Sequence, residues 1–180
     1  MSRSATRRMI ETERLRLLPW EAADWSAFRP IVTDAEVMRF ISFGRPLSDD
    51  EIRAFVARQI DGFAERGFCL WKLIRKSDSA LIGFCGIQPL AVEGAPEIEI
   101  GWRLARESWR QGYASEAARA TLRDGVARCK LDRIVAIALP ENVASRRVME
   151  KIGMAYERNI MHKDLDHVLY AIDAARTVAA

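Results

Sequence analysis

Glu97-Ile98-Glu99-Ile100-Gly101-Trp102-Arg103-Leu104 is followed, after a short polar link, by Trp109-Arg110-Gln111-Gly112-Tyr113-Ala114-Ser115-Glu116-Ala117-Ala118. The first segment alternates. Ile98, Ile100, Trp102 and Leu104 fall on one strand face, and Glu97, Glu99, Gly101 and Arg103 on the other. The second segment opens a helix, expected over 114–129, with small residues (Ala117, Ala118, Gly125) beside Leu122, Val126 and Cys129 on its inner side. A helix start presents backbone N–H groups without internal partners, at the positive end of the helix dipole, and so forms an anion site. Gly112 lets an incoming ligand approach the backbone with no Cβ in the way. Taken alone, strand, glycine-bearing loop and helix fit an ordinary turn as well as a phosphate-binding corner.

Working outward, Leu15 and Leu17 alternate with Arg14 and Arg16 as a first strand stopped by Pro19. A short helix over 21–29 is predicted to end at Pro30. Ser48-Asp49-Asp50-Glu51 is a capping box, and Ile52, Phe55, Val56, Ile60 and Phe63 continue it as an amphipathic helix. Strands over 68–75 and 81–88 flank the polar turn 76–79. The apolar run 134–139 reads as a strand buried on both faces, ended by Pro140. A helix over 143–152 stops at Gly153, and two further strands fit 155–161 and 165–172. This order predicts an α/β (α+β) domain with a mixed sheet.

The chain has 180 residues, 49% hydrophobic and 29% charged, as expected of one globular domain. Residues 1–10 read as a basic tail and 11–175 as the domain. Five arginines among the first sixteen residues (Arg3, Arg7, Arg8, Arg14, Arg16) lack the interleaved aromatics of a nucleic-acid arm, so no nucleic-acid partner is expected. No apolar stretch is long enough to span a membrane, and the start lacks a secretory apolar core, which predicts a cytoplasmic protein without a membrane partner. Cys69, Cys85 and Cys129 are widely spaced and read as small hydrophobes. With only His162 and His167 beside them, no metal site is expected. Trp20, Trp25, Trp71, Trp102 and Trp109, with Phe40 and Phe43, are candidates to line a substrate cleft, with core packing the default for most of them.

In several motifs, the chain resembles the GNAT superfamily of N-acetyltransferases, in particular its RimJ/RimL-like branch. These are Thr12-Glu13-Arg14-Leu15-Arg16-Leu17, Leu81-Ile82-Gly83-Phe84-Cys85-Gly86, the segment quoted first, Asn142-Val143-Ala144-Ser145, and Met149-Glu150-Lys151-Ile152-Gly153-Met154. The resemblance implies a GNAT-like central sheet, mostly antiparallel and splayed near its middle, with helices on both faces. It implies acetyl-CoA as co-substrate, no metal, and direct transfer of acetyl to a primary amine, either a protein N-terminus or a small molecule. Gly112 and Ala114 match the family's pyrophosphate loop, and Trp109 replaces its usual Gln or Arg. Carried over, the backbone of Arg110, Gln111, Gly112, Tyr113, Ala114 and Ser115 would bind the pyrophosphate. The strand edge at Trp102, Arg103 and Leu104 would pair with the pantetheine arm, one of its N–H groups holding the oxyanion. Asn142 would contact CoA near that arm.

An amine must be neutral to attack a thioester. Deprotonating a lysine with pKa about 10.4 costs roughly 4.6 kcal/mol at pH 7, against about 1.1 for an α-amine near 7.8. A carboxylate beside the thioester would take that proton. Glu99, in the family's Glu-Ile-Gly segment, is expected to be the base, with Glu97 the second choice and a solvated strand face the alternative for both. Many relatives place a tyrosine acid seven residues after the asparagine, where this chain has Met149. Ser145 matches the serine that RimL-like enzymes offer instead, although a serine also suits a first helical turn without catalysis. Loop 40–46 sits where the family walls its acceptor site. A catalytically inactive CoA-responsive protein is the competing function, and a homodimer is left open.

Overall fold

The computed structural model describes residues 8–41 and 44–173. Eight strands form one sheet in the order β1-β2-β3-β4-β5-β6-β8-β7. They are β1 (Ile10–Glu11), β2 (Leu15–Leu18), β3 (Leu70–Arg75), β4 (Leu81–Val92), β5 (Ala95–Leu104), β6 (Arg133–Ala138), β7 (Ala155–His162) and β8 (Leu165–Asp173). Every neighbouring pair is antiparallel except β5–β6, which is parallel and joined by the single register pair Glu99↔Val135. The sheet therefore forks just beyond Glu99. This is the expected mixed, mostly antiparallel architecture.

Among the described residues five α-helices cover the sheet: α1 (Trp25–Val32), α2 (Ala35–Met38), α3 (Asp49–Arg66), α4 (Tyr113–Ala127) and α5 (Val143–Lys151). One face is held by α1 and α3, where Phe84 of β4 packs its ring 6.0 Å from Phe28 and 5.3 Å from Phe55. The other face belongs to α4, whose Thr121 meets Cys85 of β4 at 3.8 Å. Ala117 and Ala118 of α4 are fully buried, so this helix lies close against the strands. The main core runs across both faces and includes Leu15, Leu17, Trp71, Leu73, Ile87, Ile100 and Ile134.

Local signals explain much of this. The Ser48–Glu51 capping box is formed in both directions, and α3 ends at Gly67 with φ 74. Ile52 and Val56 of its stripe are buried, with Phe55, Ile60 and Phe63 packed beside them. The expected stop at Pro30 is wrong. α1 runs through Pro30 to Val32, because Ile31 and Val32 are buried in the core and their packing outweighs the lost ladder bond. α2 is a further surprise, capped by Asp34, which accepts from the Glu36 N–H. β4 extends past 88 to Val92 and turns through Glu93 (φ 50) and Gly94 (φ 86) into β5, a tight hairpin with both turn residues left-handed. β8, not β7, pairs with β6, so β7 is the outer edge. Trp20 and Trp71 are core residues as expected.

Candidate active site

The fork between β5 and β6 opens a cleft of about 700 Å³. Register pairs set its floor on the side of α1 and α3. Gln88↔Glu99, Gly86↔Gly101 and Phe84↔Arg103 lie in succession across β4 and β5. Gly101 keeps the middle open, while Gly86 allows the β3 backbone to approach closely. A Cβ on Gly86 would stand 2.1 Å from the Cys69 carbonyl oxygen, whereas one on Gly101 would meet only Leu70 Cδ2 at 3.8 Å. Beyond the Glu99↔Val135 rung, β5 has no register partner on its β6 side from Ile100 to Leu104.

Glu99 stands at the fork and lines the cleft. Its carboxylate accepts from Gln88 Nε2 at 3.0 Å. Burial raises its pKa, with the Gln88 hydrogen bond and the charge of Lys163 working the other way. A carboxylate so placed is a better proton acceptor near neutrality than a solvated one. Glu97, two residues earlier, accepts from Arg133 Nε at 3.2 Å and is not among the residues lining the cleft. The two carboxylates share a strand face but have different surroundings.

Asn142, Ser145 and Met149 line the far wall with Ile137 and Leu139. Asn142 is also the N-cap of α5, its Oδ1 accepting the Ser145 N–H at 3.2 Å. Trp102 and Arg103 line the cleft, whereas Leu104 is buried and its carbonyl accepts the Trp109 indole N–H at 2.9 Å.

The loop residues lie elsewhere. Gly112 and Ser115 line a second hollow of about 670 Å³ with Arg14, Glu116, Arg119, Arg123 and Lys151. Gly112 caps α4 with φ 82, a conformation that favours glycine, and Arg110 precedes it with φ 59. Gln111 turns its amide back to the Glu107 carbonyl at 2.6 Å. Tyr113 is buried beneath the Arg14 guanidinium, 4.4 Å from its ring centroid, and Ala114 packs against the core. Arg14 also donates to the Gln111 carbonyl at 2.9 Å. Glu116 holds Arg14 in turn, through Nε at 2.7 Å and the backbone N–H at 2.9 Å, and accepts the Thr12 hydroxyl at 2.6 Å. Strand β2 is thus tied to the start of α4.

Several lining residues carried no sequence signal. His162 ends β7, Lys163 lies in the following turn and His167 is in β8, while Arg39 and Arg58 come from the α2–α3 side. The two histidine rings pack edge to face with centroids 5.4 Å apart. Burial, His167 and Lys163 lower the pKa of His162. Gln88 could have been read as the partner of Glu99 had the β4–β5 hairpin been recognised. Phe40, Ile41 and Gly44 line the cleft as the loop expectation had it, and Phe43 lies outside the described residues. Among the described residues no cluster of His, Cys, Asp and Glu could hold a metal ion, and no helix is long and apolar enough to cross a membrane.

A forked sheet with an acidic residue at the fork and a glycine-capped helix beside it defines a protein built like the acetyltransferases. The sequence matches the acetyltransferase (GNAT) domain over residues 14–155, and the chain belongs to that family. It is 36% identical over 148 residues to the uncharacterized N-acetyltransferase YnaD of Bacillus subtilis, covering 82% of this chain and 83% of that protein. A crystal structure of a GNAT-family acetyltransferase from Bacillus anthracis superposes with a TM-score of 0.80 at 34% identity, over 93% of this chain and 99% of the other. RimL, a ribosomal-protein α-N-acetyltransferase solved with coenzyme A, shares the fold at a TM-score of 0.76 and 18% identity, over 92% of this chain and 98% of its own.

Proposed function

We propose that this acetyltransferase moves acetyl from acetyl-CoA to a primary amine by direct attack, with Glu99 as the base. The observation that carries this reading is the position of Glu99, at the last rung before β5 loses its partner and at the floor of the cleft. The free β5 edge suits an arm bearing amide groups. The basic hollow at Gly112, with Arg14, Arg119, Arg123 and Lys151, suits phosphates. Glu99 takes a proton from the acceptor ammonium, directly or through water. The freed nitrogen then bonds to the thioester carbon, and a β5 backbone N–H steadies the oxyanion. The C–S bond breaks, the nitrogen releases its second proton as the amide forms, and the CoA thiolate takes up a proton relayed through solvent or Ser145. That thiolate, with pKa near about 8.5, needs little assistance. RimL-like α-amines and small-molecule amines are both within this chemistry.

The test measures free CoA thiol with acetyl-CoA and panels of peptides, polyamines, amino acids and aminoglycosides. Turnover with any class supports the reading, whereas tight acetyl-CoA binding without turnover points to a CoA-responsive binding protein. The buried Met149, standing at the family's tyrosine position, favours that second outcome. Glu99→Gln should lower turnover about 10²- to 10⁴-fold, with the loss shrinking as pH rises towards the acceptor's pKa. Because folding raises the pKa of Glu99, its ionisation weakens the fold as pH climbs through the carboxylate range. The Gln variant should therefore melt higher than the parent at pH 7. Full activity across the pH range in Glu99→Gln would remove Glu99 from the mechanism.

A further inference from the structure

Arg103 follows Glu99 by four residues on the same face of β5, which sets their Cα atoms about 13 Å apart. Its guanidinium lies over Phe84, 5.2 Å from the ring centroid, and the residue lines the cleft. Its Nε is shut off from solvent and has no hydrogen-bond partner. Among the described residues, no carboxylate comes within ion-pair distance of it. Burial alone pulls its pKa down to about 10, which still leaves it cationic at neutral pH. A partly buried guanidinium with a donor so orphaned is an arrangement that lacks its anion. The neighbouring wall has the same sign. Arg39, Arg58 and Lys163 line the cleft with His162 and His167, and Glu99 is the single carboxylate lining it among the described residues.

We propose that Arg103 anchors an oxyanion carried by the acceptor, so that the acceptor is a zwitterionic amine. This rests on the reading of Glu99 as the base. The anion does not come from the co-substrate's arm, because pantetheine is uncharged. Nor is the helix start a competitor for Arg103. Its side chain shares the Phe84 face under α1 and α3, while α4 covers the opposite face. An amine about 3 Å from Glu99 and an oxyanion about 3 Å from Arg103 leave roughly 7–10 Å between the two groups. A free α-amino acid places them too close. A tripeptide, about 10 Å when extended, spans the gap. Polycationic amines meet a wall of their own charge.

Calorimetric titration of the protein saturated with CoA, which cannot turn over, tests this. The probes are trialanine, its C-terminal amide, and Ala-Ala-phosphoserine amide; the last separates phosphate from carboxylate as the preferred oxyanion. One or both anionic peptides should bind about 10- to 100-fold more tightly than trialaninamide. Arg103→Met should abolish that preference, and Arg103→Lys, which keeps the charge, should retain part of it. Two results overturn the proposal: no anionic preference in the parent, including no binding of any probe; or a preference that survives in Arg103→Met. Selective binding without acetyl transfer to any peptide would sink the role given to Glu99 while leaving the anchor in place.

Discussion

Replacing Glu116 by alanine removes the acceptor for three hydrogen bonds, from the Thr12 hydroxyl, the Arg14 backbone N–H and Arg14 Nε, and an ion pair to Arg14 Nη2 at 2.6 Å. Hydrogen bonds to a charged group are worth about 1.5–3 kcal/mol each in isolation. The Arg14 side chain is 41% exposed and that of Glu116 18%, so solvent screens part of this and the orphaned groups partly rehydrate. A net loss of about 3 kcal/mol is expected, which for a chain of this size lowers the melting temperature by roughly 6–12 °C. Burial opposes ionisation of Glu116, but its hydrogen bonds from Thr12 and Arg14 prevail and hold its pKa below the usual value. Its contribution is therefore complete above the ordinary carboxylate pKa and drains away as pH falls through the lower folded value. The gap between parent and variant should narrow below about pH 4.3. Arg14 also holds the Gln111 carbonyl, so acetyl-CoA binding should weaken several-fold with the loop. Scanning calorimetry across pH and a binding titration read both effects. A variant that melts and binds like the parent would show that the tie between β2 and α4 contributes nothing.

Gly112→Val places a β-branched residue at φ 82, with its Cβ 3.3 Å from Arg14 Nη2. It should cost about 1–2 kcal/mol of stability and weaken acetyl-CoA binding at least tenfold, and unchanged affinity in a titration would remove the loop from the pyrophosphate assignment. Burial pushes the thiols of Cys69 and Cys85 up to about 12. A thiol reagent applied to the native protein near pH 8 should therefore label Cys129 first, as peptide mapping would show, and prior labelling of either buried cysteine would contradict the packing described.

The sequence made the elements near the site legible because their signals are local. The Ser48–Glu51 box, the alternation along β5 and the glycine before α4 each depend on neighbours a few residues away. What escaped depends on distant partners. Pro30 is a helix terminator until Ile31 and Val32 find a core to enter. The Glu93-Gly94 turn is hidden because glutamate is an unusual residue for φ 50. Thr12, Arg14 and Glu116 were all visible as motif residues, yet nothing in the chain says that positions 102 residues apart meet. Glu97 and Glu99 were indistinguishable by alternation. Their separation into an ion-paired residue and a cleft residue comes from where β6 and Arg133 fall. The cationic wall was unreadable for the same reason, since its members come from four separate elements.

The single rung between β5 and β6 leaves a strand edge indoors. On a protein's surface, a row of unpaired backbone groups invites a second copy of the chain to pair with it, and folds commonly blunt such edges with charge, proline or a bulge. Here the walls of the cleft do the blunting. A strand from another molecule would have to enter the cleft to reach the edge. Enclosure within the fold therefore shields this edge from aggregation.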